Sequence, residues 1–289
     1  MSDARILDQG YRRYDGPRRG PVGAIRSLTW NSVQRALGMR RTIWAKLLPA
    51  SAVIFAHLPA VVFVAIAAII PKDIRDQLDV LPSYSEYYGF ITAAIVLFLA
   101  IVGPEMLCPD RRHGTLGLYL ASPLTRNTYL LAKVLALVPV LAMVTLGPPL
   151  LLLVGLTLAD AGPASAGDFV VVLGRVVAAG VVVSAIYTAL SLAVAAMTDR
   201  RAVASATVIL ILFTTGVTTA TLVGPTQERE MVLLFNLLFV PFELVQRIYG
   251  EPGTTPGVPT DALALSLAAW TLGCALVVWW RYRQLTVTR

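Results

Sequence analysis

The densest run of ionisable side chains between two long apolar stretches is Asp110-Arg111-Arg112-His113, followed at once by Gly114-Thr115-Leu116. A second, shorter run, Asp199-Arg200-Arg201, echoes it further along the chain. Arginine forks grip carboxylates and backbone carbonyls with defined geometry, so the chemistry open to these residues is docking of a soluble partner. Basic residues at the ends of membrane spans also have a purely topological reading, which stands beside the docking one. Covalent chemistry has little to work with. No GxxxxGK[ST], GxSxG or HExxH occurs, His57 and His113 are the sole histidines, and Cys108 and Cys274 lack metal-type spacing. Both cysteines read as structural thiols, and His57, one turn from Pro59, reads as a packed or interhelical hydrogen-bonding residue.

The elements that must position these residues are membrane spans. The chain is 56% hydrophobic and 14% charged with mean hydropathy +0.70, well below the roughly 25% charge of soluble domains. Six runs of about 20 or more apolar residues, near 47–70, 87–107, 129–156, 169–197, 202–223 and 262–280, are long enough to cross about 30 Å of hydrocarbon. Tilt, kinks at Pro139, Pro148 and Pro149, or frayed ends must absorb the excess length of two of them. The expectation is an all-α polytopic membrane protein in three parts. Residues 1–46 form a cytoplasmic arm, 47–280 the six-span domain and 281–289 a cytoplasmic tail. No cleaved signal is expected ahead of the first run.

An even number of spans puts both termini on one side, and Lys and Arg choose which. The arm, the 108–128 and 198–201 loops and the tail together hold eighteen of the 24 basic residues, whereas the opposite loops hold Lys72, Arg75, Arg229 and Arg247. Both termini are therefore expected inside. The net charge of +7 is mostly this bias, and no basic stripe interleaved with aromatics points to nucleic acid.

Between the arm's start and the first span, residues 22–47 place Ile25, Leu28, Val33, Ala36, Leu37, Met39, Ile43 and Trp44 on one helical arc, with Asn31, Gln34, Arg35 and Thr42 opposite. Arg26, Ser32 and Arg40 interrupt the apolar side. This predicts an interfacial helix; a basic pre-anchor that only orients the first span is the alternative. In the 108–126 stretch, Gly114 and Thr115 supply a break and an N-cap for a short helix over Leu116–Ala121 that ends at Pro123, and Thr125 or Asn127 caps the third span. The result is a stiff elbow joining two spans. The fourth span carries Gly174, Ala178, Gly180, Ser184, Thr188 and Ser191 at close-packing intervals. In the fifth, Thr214, Thr215, Thr218, Thr219 and Thr221 either bond back to helical carbonyls or line a cavity against a second subunit. Residues 231–250 read as two short helices that dip into the outer leaflet and return near Pro241.

The stretch "DRRHGTLGLYLASPLTRNTYLLAKVLAL" resembles the signature after the second span of ABC-2 type exporter permeases. "YRRYDGPR", with Tyr11, Tyr14, Gly16 and Arg18, resembles the N-terminal motif of one branch of them, and "AAMTDRRAVASA" their junction between spans four and five. Gly117 stands where an acid often follows Gly-Thr-Leu, and Ala132 where Gly often precedes the Lys. The resemblance implies a permease subunit of the bacterial or archaeal cytoplasmic membrane that works outward, and the few intramembrane charges favour an apolar or amphipathic cargo over a small ion. It implies no cofactor in this chain, with ATP and Mg held by a separate P-loop ATPase that docks on the elbow. The remaining partners are a second permease copy, identical or related, and lipid. A non-transporting membrane anchor for an ATPase, or a self-sufficient secondary carrier, are the other readings. A carrier would need mid-membrane ionisable residues and an inverted repeat, which the paired Asp-Arg-Arg runs do not establish.

Overall fold

The computed structural model of the chain describes residues 20–39, 42–78, 80–223 and 230–285. Among these, all regular structure is helical: α1 Gly20–Ala36, α2 Ile43–Ile69, α3 Lys72–Leu78, α4 Tyr87–Val102, α5 Pro104–Arg112, α6 Leu116–Leu120, α7 Arg126–Thr145, α8 Gly147–Leu158, α9 Ala166–Met197, α10 Arg201–Val223, α11 Phe239–Tyr249 and α12 Thr260–Gln284, with a 3-10 turn at Glu230–Phe235 before α11. Six helical stretches are long and apolar enough to span: Ile43–Ile69, Tyr87–Arg112, Arg126–Leu158, Ala166–Met197, Arg201–Val223 and Thr260–Gln284. The face bearing the start of the first span and the end of the last is called the near face below, and its opposite the far face.

Lipid is as apolar as leucine, so association of spans depends on close fit rather than on the hydrophobic effect. Along α2, Ala52, Ala56 and Ala60 are fully buried at four-residue intervals, forming a flat stripe against α4 and α8. Span two is the most buried of the six, and spans five and six lie at the periphery. In span four the small residues divide. Gly174 and Ala178 face outward, whereas Gly180 abuts Leu146, Ser184 bonds the Thr145 hydroxyl at 2.7 Å, and Ser191 lies against Gly103.

Span three divides at Leu146, where Pro148 and Pro149 open α8; these two prolines cannot donate to α7 carbonyls, and α7 runs through Pro139 uninterrupted. Beside the break, the Thr145 hydroxyl crosses to span four, 3.3 Å from the Gly180 carbonyl. His57 packs against Gly147 at this break, with its Nδ1 2.8 Å from the Val53 carbonyl one turn back.

Three expectations are corrected. The helix over 22–47 stops at Ala36: Gly38, at φ +67°, closes it with Gly38 N–H bonded to Arg35 O and Met39 N–H to Gln34 O. A side chain at Gly38 would strike the Ala45 carbonyl. Met39, Ile43 and Trp44 therefore leave the arc and are exposed. Span two does not end at residue 107 but stays helical to Arg112. The turn in residues 231–250 falls at Asn236–Leu238, not at Pro241, because the Asn236 side chain accepts the Leu238 and Phe239 N–H groups, both at 3.0 Å, and starts α11. Pro241 sits in the first helical turn, where its missing N–H costs nothing.

On the far face Glu243 is buried, pairs with Arg247 and accepts from Thr254 and Thr255, while Arg247 donates to the Thr255 and Val258 carbonyls. These bonds fold residues 250–258 back onto α11.

Gly103 is the tightest point between spans two and four, since a Cβ there would overlap the Ser191 hydroxyl. Gly103→Ala is expected to lower stability by about 1–3 kcal/mol, as overpacking does. Adding Ser191→Ala should recover part of that loss, read as the thermal unfolding midpoint of the purified chain.

Candidate functional site

The run that opened the sequence is divided by the fold into an inner and an outer half. Asp110, in the last turn of α5, is 2% exposed and points into the bundle. Its Oδ1 pairs with Arg35 of α1 at 2.6 Å, and its Oδ2 with Lys133 of α7 at 2.7 Å. The Tyr129 hydroxyl donates to Oδ2 at 2.8 Å. Lys133, completely buried, donates further to the Ser32 hydroxyl at 3.1 Å and lies 5.2 Å from the Tyr129 ring and 5.8 Å from the Tyr119 ring. Arg35 also reaches the Met106 carbonyl at 3.1 Å. Two cations meet one carboxylate, and the faces of two aromatic rings take up part of the surplus positive field.

Local sequence sets this up. Ile25, Leu28 and Ala36 turn one face of α1 toward α7, which carries Ser32 and Arg35 inward with it. Thr29 of the same helix donates to the Ala132 carbonyl at 3.3 Å. Thr125 and Thr128 form a reciprocal capping box that starts α7, placing Tyr129 and Lys133 one turn apart on its inner face. Tyr129 stacks on Tyr282 of α12, ring centroids 5.8 Å apart, and Arg126 donates to the carbonyls of Tyr282 and Arg283. One knot thus joins α1, α5, α7 and the end of α12. Burial works against the charge of Arg35, but the Asp110 carboxylate outweighs it and raises the Arg35 pKa. Burial, reinforced by the Asp110 charge, holds the Tyr119 phenol above the ordinary tyrosine range, so it stays a neutral ring beside the cations.

The outer half runs through the elbow. Gly114, at φ +63°, closes α5 as Gly38 closes α1, with Gly114 N–H on Arg111 O and Thr115 N–H on Asp110 O. Thr115 precedes α6 but its side chain does not cap it; the hydroxyl turns back to the Asp110 carbonyl at 3.3 Å. Leu116 packs against the core, and Arg112, His113 and Gly114 are exposed. Arg111 is half-buried and donates to the Ala196 and Thr198 carbonyls at the end of α9, satisfying groups a helix end leaves unpaired. Arg201 pairs with Glu105 on α5, while Asp199 and Arg200 are exposed. The two Asp-Arg-Arg runs therefore meet in space but are not equivalent, for one buries its acid and the other exposes it.

The remaining candidates fall elsewhere. Tyr11, Tyr14, Gly16 and Arg18 lie outside the described residues. Thr215, Thr218 and Thr219 return their hydroxyls to carbonyls three or four residues earlier, the Thr214 carbonyl among the acceptors, and Thr214 and Thr218 face outward. Sequence reading missed Lys133, Ser32 and the inward role of Arg35. The available signal was Lys133 itself: a lysine two turns inside a span needs a partner, and Asp110 at the end of the preceding span is the nearest acid in the chain.

Asp110→Asn leaves Arg35 and Lys133 facing each other without a counter-charge, whereas Lys133→Met leaves the Arg35–Asp110 pair in place. Breaking a buried pair costs about 3–5 kcal/mol. Asp110→Asn is accordingly expected to lower the unfolding midpoint more than Lys133→Met does, and the Asp110→Asn, Lys133→Met double variant to be more stable than Asp110→Asn alone.

Comparison with curated proteins finds none that matches this chain. The family model described as ABC-2 family transporter protein matches residues 30–285, a range that contains all six spans, the buried knot and the elbow. The chain belongs to the ABC-2 family of transporter proteins, as a multi-pass membrane permease component.

Proposed function

We propose that the chain is the permease subunit of an ATP-driven exporter, working as a dimer with a separately encoded P-loop ATPase bound at the near face. The observation that carries this reading is the division of the elbow. Asp110 and Arg111 are spent on holding the loop to α1, α7 and α9, and Arg112, His113, Asp199 and Arg200 remain exposed beyond them. A docking surface that transmits force needs both properties: contacts free to meet a partner, and a mounting that does not give way.

In this reading both termini are cytoplasmic, in accord with the charge bias, and the membrane is the bacterial or archaeal cytoplasmic one. ATP and Mg are bound by the partner. The near-face loops move with the ATPase, and the path for an apolar or amphipathic cargo runs between two permease copies, with the exposed Thr214 and Thr218 of α10 on its wall. The 3-10 turn and α11 form a re-entrant pair that closes the outer side. A membrane anchor without transport would share the docking surface but not the coupled path.

Two measurements test this. Arg112→Glu with Arg200→Glu is expected to weaken copurification of the ATPase by roughly tenfold or more, since like charges across an interface cost several kcal/mol. Lys72→Glu, on the exposed far face, should leave it unchanged; Arg75 is unsuited as a control because it is buried and bonded to the Ala67 carbonyl. Equal retention of the ATPase in both variants rejects docking at the elbow. For orientation, His113→Cys should be labelled only from the cytoplasm and Ala164→Cys only from outside, in a chain whose buried Cys108 and Cys274 are replaced by Ala. The reverse pattern overturns the topology.

A further inference from the structure

A groove of about 600 Å³ runs along the outside of the bundle between α7, α9 and α12, within the roughly 300–1,000 Å³ range of small-ligand sites. Its walls are apolar, with Leu131, Val134, Leu192, Leu272 and Leu276 along its length. On α7 it extends from Asn127 to Val138, a rise of roughly 16 Å, or about half the hydrocarbon thickness. It is therefore one leaflet deep and begins at the near face.

Its charged and amide groups are confined to that end; of the two threonines further in, Thr271 returns its hydroxyl to the Leu267 carbonyl. Asn127 is exposed in the first turn of α7. Trp279 forms part of the wall, and the Arg283 guanidinium lies 3.8 Å from the Trp279 ring centroid. Arg283 is exposed and has no acidic partner among the described residues. A cation held over an aromatic ring at the mouth of an apolar furrow complements a ligand with a long hydrocarbon tail and one negative charge.

We propose that this groove is a resident site for an anionic phospholipid of the near-face leaflet, one acyl chain lying between α7, α9 and α12 and the headgroup phosphate on Arg283 and Asn127. The site goes beyond the transport reading and is independent of it, because it faces the bilayer at the periphery and holds a lipid that is not cargo. The bound lipid covers Leu272 and Leu276, both largely exposed in the chain by itself, and ties the end of α12 to α7.

The test is native mass spectrometry of the full chain, delipidated and titrated with phosphatidylglycerol or with phosphatidylcholine of the same acyl chains. Wild type is expected to retain one phosphatidylglycerol at least tenfold more tightly than phosphatidylcholine. Arg283→Gln should erase that preference while leaving weak binding of both. Ala275→Phe, at an exposed position of the groove wall, should abolish retention of both. A second readout needs no substitution in the groove: with Trp30, Trp44, Trp270 and Trp280 replaced by Phe, brominated phosphatidylglycerol should quench Trp279 more strongly than brominated phosphatidylcholine at equal mole fraction. Equal retention of the two lipids together with equal quenching overturns the proposal, as does a second copy of the chain covering this face and excluding both lipids.

Discussion

The structure of the near face depends on one carboxylate. Asp110 uses both of its oxygens, one on Arg35 and one on Lys133, and has no exposure left for anything else. Bringing three charges together away from water is costly, and an apolar triad of the same shape would pack α1 onto α7 at no such cost. What the ionic version adds is intolerance of rearrangement. If α1 shifts by one turn along α7, Arg35 loses Asp110 and Lys133 loses Ser32, which leaves the half-buried Arg35 guanidinium without its counter-charge and one Asp110 oxygen without its partner. An apolar contact would slide; this one has a single register.

That register is reached by two chain reversals built alike. α1 and α5 both end in a glycine with positive φ, Gly38 and Gly114, each followed by the pair of backbone bonds that closes a helix end. The first reversal sends the chain from α1 into the first span, and the second sends it from span two into the elbow. Both lie close to the Asp110 knot in sequence, so the knot and the turns define each other. The arginine beside the buried acid then completes the mounting, since Arg111 closes the carbonyl end of α9 from a neighbouring helix.

Much of this arrangement can be read from residues in order. The six spans follow from hydropathy, because no other structure satisfies so long an apolar run in a bilayer. Gly114, Pro123 and Thr125 mark the elbow's three turning points through their own backbone chemistry, and Thr125 caps α7 as its type and place suggest. The burial of Asp110 escapes the same reading because a charge at a span end is ordinarily a mark of the water boundary. Helix periodicity fails at Arg35 for a related reason. It sorts residues by polarity alone, and a face that buries polar groups against complementary ones looks like a face turned outward. Glu243 and Arg247 are hidden in the same way, as an ordinary i,i+4 pair whose burial depends on a loop folding back over it.

The two buried acids differ in reach, and that difference orders the molecule. Glu243 closes a local loop, with partners no further along the chain than Val258. Asp110 joins segments on either side of it, from Arg35 to Lys133, and through Tyr129 to the last helix. The longest element reaching both faces is α9, unbroken over 32 residues and so roughly 48 Å long. Arg111 grips its near end, and its own Arg175 donates to the Tyr249 carbonyl at the end of α11 at 2.8 Å. Span three offers no such path, because it divides at Leu146, and span two changes helix at Gly103. The molecule thus sets an unbroken rod, α9, held by side-chain bonds near both ends, beside two spans that are divided at Gly103 and Leu146.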